Sequence, residues 1–300
     1  MGAWLSKPQT SQAMFGVLVV DLPPQADVVT TYAEYYKIVT AFFAGHFGLL
    51  IIVGDPGKSK SYEFQQQAKA KGGCKYVRGL GSPYKLYLSL YDYKDKDVIL
   101  DDAEIYWKDA DGRILLRELT EISKPASVSW AKQNARMEKD GYPTSFKTSS
   151  KVCLICNTLK FGRKDEFDAI VDRGHLVFFD PTPQEVHSMA GTWAPNKFGK
   201  EIYDAVGDRL HYMPNLSVRI YEKLSQAKAA KRDWEKLLGT YQVNKADRFM
   251  IDLEECKGLT TADRVRLWCE YTKNCRATYF NRRKVLMRHK PEETEPPDDE

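Results

Sequence analysis

Residues Gly48 to Ser61, GLLIIVGDPGKSKS, restrict the possible folds of this chain more than any other stretch. An apolar run from Leu49 to Val53 gives way to a glycine loop that closes on lysine and serine. In the pattern G-x-x-x-x-G-K-[ST] the loop reads Gly54, Asp55, Pro56, Gly57, Lys58, Ser59, Lys60, Ser61, with Ser59 where the last glycine is expected. Such a segment predicts a buried strand, a loop whose N–H groups curl round an anion, and a helix whose positive dipole end faces phosphates. Lys60 is placed to reach β and γ phosphates, and Ser61 to hold Mg²⁺. Ser59 carries a Cβ where φ is expected to turn positive. The register through Gly57, Lys58 and Ser59 finds no first glycine, so Lys60 is preferred and Lys58 is read as an extra charge.

From Gly48 to about Phe179, short apolar runs alternate with helical stretches, the pattern of a parallel sheet covered on both faces. Strands are expected at Leu49 to Val53, Lys75 to Val77, Val98 to Leu100, Val152 to Cys156 and Leu176 to Phe179. Helices are expected at Ser61 to Ala70, Tyr84 to Tyr93, Ile114 to Ile122 and Ala131 to Lys139, with a further helix over Asp27 to Phe47. After Pro181 come basic helices at Thr182 to Trp193, Gly199 to Val206 and Ser217 to Leu238, which read as a lid. The chain therefore divides into a nucleotide-binding α/β core (1–181), a helical lid (182–240), a small helical unit (241–290) and an acidic tail, PEETEPPDDE, expected to be disordered.

Composition narrows the class without naming a function. The chain has 300 residues, 43% of them hydrophobic and 29% charged, long enough for a core that needs no staples. No apolar run approaches the ~18 residues that would span a bilayer, and Met1 to Gln12 lacks the apolar core of a signal peptide. A cytoplasmic protein with no membrane partner is the expectation. Cys153 and Cys156 form a C-x-x-C within an expected strand, where alternation sends them to opposite faces, so they are read as core residues and not a zinc site.

The residues that follow the loop extend its chemistry. VILDD puts Asp101 at a strand end to hold Mg²⁺ and Asp102 beyond it to polarise the attacking water, with Glu104 a fallback base that alternation and distance disfavour. Asn157 ends the next apolar strand, where its amide orients the water or touches the γ phosphate. Arg173 precedes another strand, suited to reach a neighbouring subunit's γ phosphate. Arg219 opens a lid helix.

Together these parts resemble the AAA+ ATPases over residues of about 30 to 240, closest to phage, plasmid and bacterial AAA-type ATP-binding proteins. The resemblance implies a P-loop NTPase sheet, ATP and Mg²⁺ as ligands, and a homo-oligomer, ring or filament, with sites between subunits. It matches Lys60 and Ser61 to the first nucleotide motif, Asp101 and Asp102 to the second, Asn157 to the first sensor, Arg173 to the arginine finger and Arg219 to the second sensor. Ser59 and Asp102 depart from the family's usual glycine and glutamate, which implies slow hydrolysis.

Thr261 to Tyr271 and Arg276 to Met287 read as two helices joined by a tight turn, the outline of a helix-turn-helix. The second helix carries Arg276, Arg282, Arg283 and Lys284, which suit DNA phosphates and base edges. The sequence thus points to an ATPase acting on DNA or a DNA-bound partner, in helicase loading, replication initiation or transposition. The alternatives are a nucleotide-dependent protein-remodelling or scaffold module with its own protein partner, and a small-molecule P-loop kinase.

Overall fold

The computed structural model describes residues 23–79, 81–107, 109–130, 132, 137, 139–158 and 164–289. The readings of Met1 to Gln12 and of the acidic tail, and most of the helix expected over Ala131 to Lys139, lie outside the described residues.

Six parallel strands form the main sheet: β1 (Asp27–Val29), β2 (Leu49–Val53), β3 (Lys75–Arg78), β4 (Val98–Asp101), β7 (Val152–Cys156) and β8 (His175–Phe179), in the spatial order β1-β8-β2-β7-β4-β3. The central strands are continuous apolar runs because both faces are covered. On one face Leu49, Ile51, Val53, Leu100, Leu154 and Phe178 pack against Leu86, Tyr87, Leu115 and Leu116. On the other, Leu50, Ile52, Ile99, Ile155 and Phe179 pack against Tyr35, Val39, Phe42, Phe64 and the lid residues Val186, Ile202, Ile220 and Leu224. Cys153 and Cys156 belong to these two different clusters. The result is a P-loop NTPase-like α/β fold: a parallel sheet with helices on both faces, followed by lid helices and a small helical unit.

Several elements differ from the sequence expectation. The helix expected over Asp27 to Phe47 is an edge strand, β1, followed by helix α1 (Tyr32–Ala44), because Thr31 is extended and caps α1 by accepting from the Glu34 N–H. Two short antiparallel strands, β5 (Ala126–Ser129) and β6 (Ser145–Thr148), were not expected. The helix expected over Ile114 to Ile122 runs Ala110–Leu119, since Asp109 caps it by accepting from the Asp111 and Gly112 N–H groups. The long helix expected over Ser217 to Leu238 is two, Arg219–Ala229 and Trp234–Gly239: Lys231 takes φ 55° between them, and Asp233 caps the second by accepting from the Lys236 N–H.

Past the lid, three helices, Lys245–Glu255, Thr261–Thr272 and Arg276–Leu286, surround Met250, Leu253, Trp268 and Tyr279. The first of these was not expected; Asn244 caps it by accepting from the Asp247 N–H. The turn between the other two is made by Lys273 in the left-handed region. Among the described residues no helix is long and apolar enough to cross a membrane.

Parallel strands put all their C-terminal ends on one edge of the sheet, and that edge gathers the polar residues. Gly54 lies there against β8, where an added Cβ would run into the Phe179 carbonyl. Gly54→Ala should therefore cost about 1–3 kcal/mol from overpacking against backbone. Gly48→Ala, whose Cβ meets nothing within 4 Å, serves as the control. Urea unfolding checks this: a lower midpoint at unchanged slope is expected for Gly54→Ala alone, and equal midpoints would mean that the loop has room at this position.

Candidate functional site

The loop after β2 runs into helix α2 (Lys60–Lys71), and Ser59 enters it with φ 60° and ψ 19°, the left-handed conformation expected for a residue standing in for glycine. Two buried tyrosines from α1 hold the loop backbone from behind: Tyr32 donates to the Lys58 carbonyl at 3.1 Å and Tyr35 to the Lys60 carbonyl at 2.7 Å. Burial pushes both phenols up, so they remain donors.

Lys60 is buried, and its ammonium donates to the Gly54 carbonyl at 2.5 Å, the Asp55 carbonyl at 2.8 Å and Asn157 Oδ1 at 3.3 Å. Ser61 Oγ donates to Asp101 Oδ1 at 2.8 Å. Asn157, directly beyond β7, sits between the loop and the end of β4. Its amide nitrogen donates to Asp102 Oδ1 at 3.2 Å, and its backbone N–H donates to the Glu104 carboxylate. Lys60, Ser61, Asp101, Asp102 and Asn157 thus form one connected group, because β7 lies between β2 and β4 in the sheet.

Asp102 leaves the strand with φ 57°, and its side chain is half exposed. That turn, and the short helix Glu104–Trp107 after it, end strand alternation at Asp101. Glu104 therefore stands at the site, which corrects the expectation that alternation and distance keep it away. One of its oxygens accepts from the Asn157 N–H, while Asp102 accepts from the Asn157 amide and lies 3.7 Å from Arg78, so both carboxylates stand at Asn157.

The remaining expected residues are distributed differently. Pro56 is exposed, and Gly57, with φ 80°, abuts the Ser217 side chain. Lys58 turns away from the loop interior: its buried ammonium donates to the Leu216 carbonyl at 2.9 Å, tying the lid to the loop, and is no free extra charge. The Val218 N–H bonds the Gly57 carbonyl at 2.9 Å at the same junction. Arg219 begins its helix one residue later with an exposed side chain. Arg173 lies before β8, at the sheet end opposite the loop. It donates to the Arg117 carbonyl at 2.8 Å and pairs with Glu121 at 3.6 Å, so the structure does not bring it to this chain's own loop.

In the C-terminal unit Arg282 is paired with Asp247, and Arg283 lies 2.9 Å from the buried carboxylate of Glu254. These two were expected on a DNA-facing surface and instead bind the helix Lys245–Glu255. Arg276 and Lys284 are exposed, Arg276 lying over the Phe280 ring.

Sequence reasoning missed several polar residues at the same edge. Tyr76 on β3 donates to Asp101 Oδ2 at 2.7 Å, and Arg78 lies 3.5 Å from Asp101 and 3.7 Å from Asp102. Asp180, the first residue after β8, is buried beside Asp55. Its position at the end of a parallel strand is the one signal that pointed to it.

The donor set suits a phosphate and a hard cation. Lys60 offers an ammonium at the start of a helix, where a phosphate is favoured, and Ser61 with Asp101 offers the hard oxygen ligands that suit Mg²⁺. No family model and no curated protein matches the sequence of this chain. Among solved structures, the chain is similar to the Bacillus subtilis DNA clamp loader delta protein, at 10% identity and a TM-score of 0.29, over 86% of this chain and 73% of that one. The fold is assigned by the strand order and the loop.

Burial pushes the Lys60 ammonium down to about 8, with Asp55 opposing the shift. A bound phosphate favours the ammonium, so ligand binding is coupled to proton uptake, and affinity should fall as pH rises through about 8. The Kd for MgADP between pH 7 and 9 checks the sign. Lys58→Arg, which removes the other lysine that burial pushes down to about 8, should leave the profile in place; a flat wild-type profile would mean that the Lys60 ammonium does not meet the phosphates.

Proposed function

We propose that this chain is a Mg²⁺-dependent ATP-binding protein of the AAA+ kind that hydrolyses ATP slowly and acts on DNA or a DNA-bound partner. The observation that carries the reading is the connected group Lys60, Asn157, Asp102, Ser61 and Asp101 on one sheet edge. In it, Lys60 neutralises charge on β and γ phosphates, while Ser61 and Asp101 hold the cation. Mg²⁺, when bound, supplies Lewis-acid neutralisation of the phosphate oxygens. Asp102 takes the proton of the attacking water, and the Asn157 amide orients Asp102. Arg173, held away from this chain's own loop, acts across a boundary between copies, which makes a homo-oligomer part of the proposal.

Lys60→Ala should abolish ATP binding, whereas Asp102→Asn should keep binding and lower turnover. Both are read by calorimetry and single-turnover hydrolysis. Unchanged hydrolysis in Asp102→Asn would transfer the base role to Glu104.

The DNA part of the reading rests on Arg276 and Lys284, the basic residues of the last helix with exposed side chains. Replacing both by alanine should weaken DNA binding and reduce the slope of log affinity against log salt by roughly one unit per lost phosphate contact. The internal pairing of Arg282 and Arg283 favours the second reading, a nucleotide-dependent module whose C-terminal unit binds protein. DNA affinity with an unchanged salt slope in the Arg276→Ala, Lys284→Ala variant would move the DNA contact to the ATPase core, whereas a wild-type chain without salt-dependent DNA affinity would support that second reading.

A further inference from the structure

The nucleotide reading leaves one contact with the loop unexplained. Arg288 lies just past the helix Arg276–Leu286, far from the loop in sequence, yet its side chain is only 4% exposed and its guanidinium is wedged between two carboxylates. It lies 3.2 Å from Asp55 Oδ2 and 3.0 Å from Asp180 Oδ1. The neighbouring His289 Nε2 lies 2.9 Å from Asp180 Oδ2. The C-terminal unit therefore reaches across the lid and closes on the base of the phosphate loop.

Asp55 is the second residue of that loop, and the Asp55 carbonyl is one of the acceptors of the Lys60 ammonium. A carboxylate in this position repels an incoming phosphate, and in a partly buried site that repulsion is weakly screened. One guanidinium nitrogen, Nη2, reaches both carboxylates, so a single cation is shared between Asp55 and Asp180. Its charge offsets the one group in the loop that opposes anion binding.

We propose that Arg288 is a positioning residue for the nucleotide: by pairing with Asp55 it lets the loop accept phosphates, so that docking of the C-terminal unit and nucleotide binding strengthen each other. The inference rests on the nucleotide reading above. Coupling between two binding events is reciprocal, so nucleotide should in turn tighten the docked arrangement.

The test is a double-mutant cycle on the full chain, read as the Kd for MgADP. Arg288→Ala should weaken binding about tenfold or more, within the usual range of such couplings. Asp55→Asn alone should bind at least as well as wild type, and Asp55→Asn combined with Arg288→Ala should restore binding to near wild type, because no carboxylate then needs neutralising. A merely structural clasp predicts the opposite, since the double variant still lacks the ion pair. If Arg288→Ala does not fold, Arg288→Gln, which removes the charge and keeps most of the side chain, carries the same comparison: weaker binding than wild type, recovered by Asp55→Asn. As a separate readout, MgADP should protect the segment joining lid and C-terminal unit from proteolysis in wild type and protect it less in Arg288→Ala.

Failure of the wild-type chain to bind MgADP would overturn the nucleotide reading and this inference with it. Wild-type binding with Arg288→Ala unchanged, or tighter because the arginine competes with phosphate, would overturn the inference alone. So would a double variant as weak as Arg288→Ala, or protection by MgADP that is equal in both proteins.

Discussion

The parallel pairing of β7 between β2 and β4 is the constraint on which the rest of the structure depends. It fixes three strand ends side by side, so that the loop, the paired aspartates and Asn157 meet without a long-range connection of their own. The Lys60 ammonium bonds both the loop carbonyls and Asn157, joining β2 to β7, and Asn157 joins β7 to the turn after β4. A change in register of β7 would move Asn157 off this edge and flip its apolar neighbours to the wrong face of the sheet.

Around this group the lid and the C-terminal unit are attached by polar contacts to the loop itself. Lys58 bonds the Leu216 carbonyl and Val218 bonds the Gly57 carbonyl, so the lid is anchored at the backbone of the same loop that faces the candidate ligand. Arg288 and His289 close on Asp55 and Asp180 from the other side. For Asp180, burial opposes ionisation, but the His289 hydrogen bond and the Arg288 charge outweigh it and hold the carboxyl below the usual carboxylate range. The sign follows: this pairing contributes stability above the carboxyl's ordinary range and loses it as pH falls through the lowered folded-state value.

The carboxylates of the C-terminal unit work in the same way but point inward. Glu254, nearly buried, is surrounded by Arg264, Arg283 and the Tyr279 hydroxyl, and Asp247 by Arg282. Removing one partner from such a set leaves a buried charge uncompensated, so these arginines are committed to holding three helices together. Arg276 and Lys284, by contrast, stay exposed to solvent.

The sequence by itself determined five strands of the parallel sheet, the loop, and the strand-end places of Asp101 and Asn157. Buried parallel strands are continuous apolar runs, the loop needs Gly54 and Gly57 in fixed places, and polar residues directly after apolar runs, such as Asp101 and Asn157, must emerge at the sheet edge. It did not separate β1 from α1, because Asp27 to Val29 share the apolar spacing of the helix that follows; the extended Thr31 cap made the break. Nor did it see that the turn at Asp102 brings Glu104 back to Asn157. Only the tertiary structure decided which basic residues are free. Charge in a sequence carries no direction, and whether Arg282, Arg283 or Arg288 faces solvent depends on carboxylates that are remote in sequence and become neighbours only when the helices pack.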